Sequence, residues 1–445
     1  MTSSDDGSEQ PWRPQRQRSA NERLLWDRLR SAGAASRAQL ARETGLSKPT
    51  VSSALAALEQ AGLVREAGTH APERGRAAVL YAPDPTAGYA LGLDIGRSWV
   101  RVALADLDGT VVARSDVRNR ARTANAVADL AVSAARGLVA DSAVDAHKVT
   151  RAVVGTPGVY DEDERRVRHA RQLPGWGRPG LIDRIRDGLG LPVAVQNDAN
   201  LAALGEYAYG VGAGSRLFVY VSIGTGLGMG IVSEGRLFTG AHGGAGEIGF
   251  LPWPGRREPA RTDGPPGGME DAVCAQAVVR AARGHGMTGP LTAKDVFDAA
   301  RAGDTAAARA VEQEGERLAH TVAAVTAVLD PDLVVLGGGI GRGADLLLRT
   351  VRRSLRTLTP LRPKVAAGAL GEDAVLLGAV ATALGAARDL AFEGRRPQEG
   401  PAARPDGAPR VSAAEPAGAV RAGARQEPEG PAGPGAAGTP AGSAR

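Results

Sequence analysis

This sequence predicts a mixed α/β chain in unequal parts. A small helical head closes with a β-hairpin, and a larger body of apolar strands, glycine loops and helices follows. Three observations predict it. Residues 36–64 place two short helical stretches on either side of Gly45. From about residue 88 onward, apolar β-like runs end repeatedly in glycine clusters, with longer helical stretches between them. From about residue 394 to the end, Pro, Ala, Gly, Glu and Arg dominate. A segment so poor in large apolar residues buries too little surface to offset its ordering entropy, so it is expected to be disordered.

Within the head, Leu40 and Ala41 start one amphipathic helix, and Gly45 ends it in the left-handed geometry that helix C-termini favour. Ser47 then caps a second helix, with Pro49 in its first turn, where a missing N–H costs nothing. Val51, Leu55 and Leu58 recur at helical spacing and form its buried face. Two helices joined by a glycine turn are a helix-turn-helix. Ser47, Lys48, Thr50, Ser52 and Ser53 lie at the start of the second helix, the end that meets base edges and phosphates in a major groove. Arg37, ahead of the first helix, is a further candidate DNA contact. An ordinary helical hairpin is the plain alternative. The stretch 65–81 reads as a strand, a tip at Pro72-Glu73-Arg74-Gly75-Arg76 and a returning strand. Arg74 and Arg76 are then either backbone or minor-groove contacts or a solvated tip.

Charge supports nucleic acid as the partner. Residues 11–80 hold 12 Arg or Lys and 6 Asp or Glu, net +6, whereas the whole 445-residue chain is only +5. A basic segment on a nearly neutral body suggests a DNA-binding foot whose affinity is salt-sensitive. The single cysteine, Cys274, excludes an internal disulfide. No apolar run approaches the roughly 18 residues of a membrane helix. Residues 1–18 are polar and lack the apolar centre of a signal peptide, so the expected location is the cytoplasm, with no membrane partner.

In the body, Ala90-Leu91-Gly92-Leu93-Asp94-Ile95-Gly96-Arg97-Ser98 and then Val100 to Asp106, with a turn at Asp108-Gly109, read as a β-meander. Ala152-Val153-Val154-Gly155 is a further strand running into Thr156-Pro157-Gly158. The run from Leu217 to Ile223 is a buried strand entering Gly224-Thr225-Gly226-Leu227-Gly228, and Leu333-Val334-Val335-Leu336 enters Gly337-Gly338-Gly339. Helices are expected over 124–140, 304–329 and 373–390. A glycine loop after a strand lets backbone N–H groups close on an anion, but it can equally be a tight hairpin.

Taken together, these motifs resemble those of a regulator of the ROK family (repressors, open reading frames and sugar kinases), over about residues 18–392. The resemblance is carried by the helix-turn-helix and wing, Asp94-Ile95-Gly96, Gly155-Thr156-Pro157-Gly158 and Leu173-Pro174-Gly175-Trp176. It continues through Asn197-Asp198-Ala199-Asn200 with Glu206, the 224–228 loop and Gly243-Gly244-Ala245-Gly246-Glu247-Ile248-Gly249, and ends with Gly267-Gly268-Met269-Glu270 and Gly337-Gly338-Gly339. It implies a two-lobed, actin-like sugar kinase fold with a cleft between the lobes. It implies that Asn197, Asp198, Glu247 and Glu270 hold sugar hydroxyls, with Asp198 the proton-accepting base in the kinases. The main chain at Gly158 and the residues before Trp176, Gln172 among them, are implied to line the same pocket. Gly224, Thr225, Gly226 and Gly228 match a phosphate loop, Asp94 with Gly96 the magnesium and phosphate corner, and Gly337 and Gly338 a further glycine loop. Asn197-Asp198 also reads as a strand-to-helix turn in which Asp caps the helix.

Four departures shape the expectation. Arg97 stands where kinases carry a glycine and should crowd the first phosphate loop, unless it pairs with an anion itself. Phe250 replaces the family histidine. The stretch 251–270 has no cysteine, so zinc and any other metal or cofactor are not expected. Gln172 replaces an asparagine. The expected protein is a DNA-binding regulator, most simply a repressor of carbohydrate-related genes. It binds a palindromic double-stranded operator as a homodimer or homotetramer, responds to a sugar-like effector and is not an enzyme. An active ATP-dependent sugar kinase with a fused DNA-binding domain is the alternative, and a regulator answering only to a protein partner is a third. The expected divisions are 1–18 disordered, 19–84 winged head, 85–392 ligand-sensing body and 393–445 disordered.

Overall fold

Helix capping explains how the head begins. In the computed structural model, which describes residues 14–70, 77–170, 173–253 and 268–394, α1 (Pro14–Ala32) is followed by the short β1 (Ala35–Ser36) and α2 (Arg37–Thr44). Ser36 and Gln39 form a reciprocal capping box, with the Gln39 N–H on Ser36 Oγ at 3.3 Å and the Ser36 N–H on Gln39 Oε1 at 2.8 Å. The helix therefore starts before the Leu40-Ala41 pair from which the sequence reading begins it. Gly45 closes it at φ 73°, donating its N–H to Ala41 O. Ser47 caps α3 (Lys48–Gln60), which buries Val51, Leu55 and Leu58. Then β2 (Val64–His70) and β3 (Ala78–Pro83) form an antiparallel wing with an irregularity between Glu66 and Thr69, in the sheet order β1-β3-β2. The wing tip with Arg74 and Arg76, and both expected disordered ends apart from residues 14–18 of α1 and Glu393 and Gly394, lie outside the described residues.

The body contains the same sheet twice. The first half runs β4 (Tyr89–Ile95), β5 (Trp99–Asp106), β6 (Val111–Arg118), α4 (Ala124–Asp141), β7 (Val149–Thr156), the hairpin β8 (Val159–Asp161) and β9 (Arg166–Arg168), α5 (Leu181–Leu189), β10 (Val193–Asn197) and α6 (Asp198–Tyr209). The second runs β11 (Leu217–Ile223), β12 (Leu227–Ser233), β13 (Arg236–Leu237), α7 (Met269–Val273), α8 (Ala275–Gly284), α9 (Ala293–Arg301) and α10 (Thr305–Leu329). It closes with β14 (Leu333–Gly337), α11 (Gly338–Gly341), α12 (Ala344–Leu358), β15 (Lys364–Ala367) and α13 (Ala374–Glu393). Sheet order is β10-β7-β4-β5-β6 in one and β15-β14-β11-β12-β13 in the other. In each, the first three strands form an antiparallel meander and the last two join in parallel. This duplication gives the body its two lobes.

Each half ends in a helix that covers the other half's sheet. Helix α6 packs on β11 and β12, α13 packs on β4 and β7, and the two helices pack on each other. Glycines make that contact: a Cβ on Gly205 would lie 2.2 Å from Ala374 O, and one on Gly378 would lie 1.8 Å from Leu201 O. Helix α13 is long and apolar enough, by length and composition, to cross a membrane. This corrects the expectation that no run approaches that length. Its Leu376, Val380 and Leu384 are instead buried in the core between head and body.

The head shares that core. One apolar cluster runs from Leu40, Val51 and Leu55 through Leu25 and Trp26 to Leu384, Ala387 and Phe392 of α13. Trp26 stacks on Phe392 with ring centroids 5.6 Å apart, and the Arg23 guanidinium lies over both rings while bonding Asp389 at 2.7 Å. Aromatic stacking of this kind adds roughly 0.5–1.5 kcal/mol beyond area burial.

Candidate functional site

The start of α3 carries the short polar residues expected to face DNA. Ser47, Lys48 and Ser53 are exposed, and Thr50 and Ser52 are half-buried. Ser47 Oγ accepts the Thr50 N–H at 3.3 Å and sits 2.8 Å from Thr50 Oγ1, so these two hydroxyls hold the helix end as well as lining its surface. Arg37 is tied down: it donates to the Tyr81 hydroxyl and lies over the Tyr81 ring at 5.0 Å. Its guanidinium thus braces the first helix against the wing.

In the body, a cavity of about 330 Å³ opens between the two lobes. It is lined by Gly158, Asn197 and Asp198 from the first lobe and by Gly224, Thr225, Gly226, Gly228, Glu247, Glu270 and Gly338 from the second. These expected site residues, spread between positions 158 and 338, come together where β10, β11 and β14 end and β12 begins. Local chemistry fixes several of them. Asn197 ends β10 and caps α6, its Oδ1 accepting from Ala199 N at 2.9 Å and Asn200 N at 3.3 Å, while its Nδ2 donates to Gly158 O at 3.1 Å. The capping residue is therefore Asn197, not Asp. Asp198 follows in the first turn, accepting from Ala199 N at 2.8 Å. Burial pushes the Asp198 carboxyl above the usual carboxylate range, against the pull of that N–H. Glu270 accepts from Leu227 N at 3.0 Å, which anchors α7 beside the turn of the β11–β12 hairpin.

The 224–226 segment resolves the choice between loop and hairpin. It is the tight turn between β11 and β12, closed by Gly224 N–H on Gly226 O at 2.9 Å, and it also faces the cavity. Gly338 sits at φ 73° and donates to the Tyr220 hydroxyl at 3.1 Å.

Other expected positions lie elsewhere. Asp94, Gly96 and Gly337 do not line the cavity. Asp94 is buried and paired with Arg101 at 3.1 Å. Arg101 also reaches Asp116 at 3.6 Å and Glu372, before α13, at 2.6 Å, so one guanidinium links the lobes. Burial raises the Asp94 carboxyl to about 6; Arg101 opposes this and the Asp198 charge adds to it. Gly96 forms the β4–β5 turn, its N–H on Trp99 O at 2.9 Å. Of Leu173, Pro174 and Gly175 just before Trp176, Leu173 is core and none lines the cavity, while Gln172 lies outside the described residues. Trp176 is buried, its Nε1 donating to Thr156 Oγ1 at 2.7 Å. Glu206 is fully buried and accepts from Val211 N and Leu370 N, tying the end of α6 to the segment before α13.

Sequence reasoning missed His169. The β8–β9 hairpin delivers it to the cavity at φ 60°, where its ring meets Phe250 edge-on at 5.6 Å. No motif marks it; only the hairpin's geometry does. Arg97 and Phe250, noted as departures, both line the cavity. Among the described residues no three His, Cys, Asp or Glu groups stand together as metal ligands. Residues 254–267, where the family's zinc loop would fall, lie outside the described residues. Carboxylates and a side-chain amide converging on one cavity can accept hydrogen bonds from a polyhydroxylated ligand.

The family model "ROK family" matches residues 90–386. The chain belongs to the ROK family. A MarR family model matches residues 28–77, so this ROK protein carries a MarR-type winged-helix DNA-binding domain. Among its relatives are a glucokinase of Halalkalibacterium halodurans, 30% identical over 65% of this chain and 92% of the relative, and the xylose repressor of Bacillus subtilis, 25% identical over 80% of this chain and 93% of the relative. A solved ROK family transcriptional regulator, described as a homologue of the Escherichia coli MLC protein, has the same fold. It matches with a TM-score of 0.69 at 23% identity, over 85% of this chain and 98% of the other.

Proposed function

We propose that this ROK protein is a cytoplasmic transcriptional repressor of carbohydrate-related genes, without kinase activity. It binds a palindromic operator as a homodimer or homotetramer, and a sugar-like ligand in the interlobe cavity controls it. The observation that carries this reading is the physical continuity between cavity and head. Asp198 in the cavity is the first residue of α6, α6 contacts α13 through Gly205 and Gly378, and α13 shares an apolar core with the head. A ligand that binds one lobe arrangement more tightly than another then shifts how the heads are presented, and DNA reciprocally shifts ligand affinity. The similarity to the xylose repressor over most of both chains supports the same reading.

The kinase reading is favoured by Asp198 facing the same cavity as the 224–226 hairpin, and by the glucokinase relative. The phosphate side argues against it. Asp94 is occupied by Arg101, the N–H groups of Gly224 and Gly338 already donate within the protein, and Arg97 enters the cavity. Phosphoryl transfer needs several groups positioned at once, so these losses should cost orders of magnitude in rate. A coupled ADP-release assay over hexoses, N-acetyl hexosamines and pentoses separates the readings. No turnover is expected; turnover that vanishes in Asp198→Ala would replace this reading with the kinase.

A further inference from the structure

A second cavity, of about 320 Å³, lies at the seam between head and body. The head supplies Leu29, Arg30, Gly33, Ala34 and Arg65; the body supplies Pro85, Asp108 and Arg388. Its size falls within the range of small-molecule sites. Its charge is lopsided, with three guanidiniums facing one carboxylate.

Among the described residues, only Arg30 of the three makes an ion pair. Arg388 donates its Nε to Leu107 O at 2.8 Å, which fixes the side chain without supplying a counter-charge. Arg30 lies over the Trp26 ring at 5.1 Å and has only a long contact to Asp27, at 3.4 Å, which Asp27 shares with Arg23. Arg65 makes no ion pair among the described residues and projects from β2. Burial and the nearby Arg388 charge together push the Arg30 guanidinium below its ordinary range, the sign of cations crowded out of water. A partly buried crevice with an excess of positive charge concentrates anions, and fork-shaped guanidiniums match the oxygens of phosphate and carboxylate.

We propose that this crevice binds a small anion bearing a phosphate or carboxylate group, and that the occupant clamps the winged head against the body. No residue of α2 or α3 lines it, which separates it from the helix that would face bases and favours a small molecule over a DNA backbone. Binding there does not depend on the function proposed above. Its consequence for DNA occupancy does.

The test uses the full chain with inorganic phosphate as probe, titrated against chloride at matched ionic strength. Melting temperature and calorimetry are the readouts. A saturable rise in melting temperature is expected with phosphate alone. Arg65→Glu and Arg30→Gln should each weaken the apparent affinity by about tenfold or more, the worth of one charge-assisted hydrogen bond. Arg353→Gln, an exposed α12 arginine paired with Glu312, should leave it unchanged. Arg65 is exposed, so its variant keeps the test valid if Arg30→Gln folds poorly. The proposal is overturned if phosphate acts no differently from chloride, or if Arg65→Glu binds it as well as wild type. Displacement of phosphate by a short DNA duplex would also overturn the small-anion assignment; phosphate binding that persists beside bound duplex supports it.

Discussion

Asp94 and Asp198 are both carboxylates withdrawn from water, but among the described residues only Asp94 of the two is ion-paired. Its carboxyl titrates near 3.8 when unfolded and near 6 when folded. Within that window the folded chain holds more protons than the unfolded one, so the Asp94 contribution is full below the window and is lost as pH rises through it. Asp94→Asn should therefore remove part of the fall in stability between about pH 4 and pH 6, measured by urea unfolding of both proteins across that range. Equal slopes would contradict the assignment. Arg101 retains Asp116 and Glu372 as partners, so the variant should still fold. For Asp198→Ala and Glu247→Ala, DNA binding should survive while the response to a cavity ligand weakens, read as the ligand concentration needed to release a labelled operator. Asn197, Asp198 and Glu247 were legible in the sequence because each belongs to a short contiguous motif. His169 was not, because its place in the cavity depends on a hairpin outside any of the recognised motifs.

Among the elements, α6 and α13 govern how the two halves meet. In Gly378→Ala the new Cβ would sit 1.8 Å from Leu201 O, so two helix backbones must separate. A loss of about 1–3 kcal/mol or more is expected by urea unfolding. Gly385, on the same helix, has nothing within 4 Å of a Cβ. Gly385→Ala should instead stabilise by roughly 0.5–1 kcal/mol, because alanine costs less backbone entropy in a helix. If both variants behave alike, the crossing is not set by close backbone approach. The long helices Thr305–Leu329 and Ala374–Glu393 were legible as helical stretches between the apolar strands. Helix α12 was passed over although Leu347, Val351 and Leu355 recur at helical spacing, since arginines interrupt the apolar pattern. The duplicated sheet was invisible for a different reason: it repeats strand order and direction, not residues.

At the scale of the whole molecule, the head is fused to its body by a common core. The sequence marked the head by its caps and charge, but it did not disclose α1 or the Trp26–Phe392 stack, because contacts over such separation leave no local pattern. Phe392→Ala should cost about 3–5 kcal/mol and loosen the head, read as faster amide exchange in α1 with the interlobe cavity still intact. Exchange unchanged in α1 would mean that the head is anchored elsewhere. Removing residues 1–84 should abolish DNA binding and expose the apolar end of α13, leaving a body that melts lower than the full chain. The central claim, that this ROK protein is a regulator acting on DNA, is tested most directly by footprinting the full chain on the region upstream of its own gene at low salt. The expected result is sequence-selective protection of two half-sites, centred a whole number of helical turns apart, roughly 34–36 Å or a multiple, and fading steeply as salt rises. Uniform, sequence-independent protection, or none at all, would contradict it.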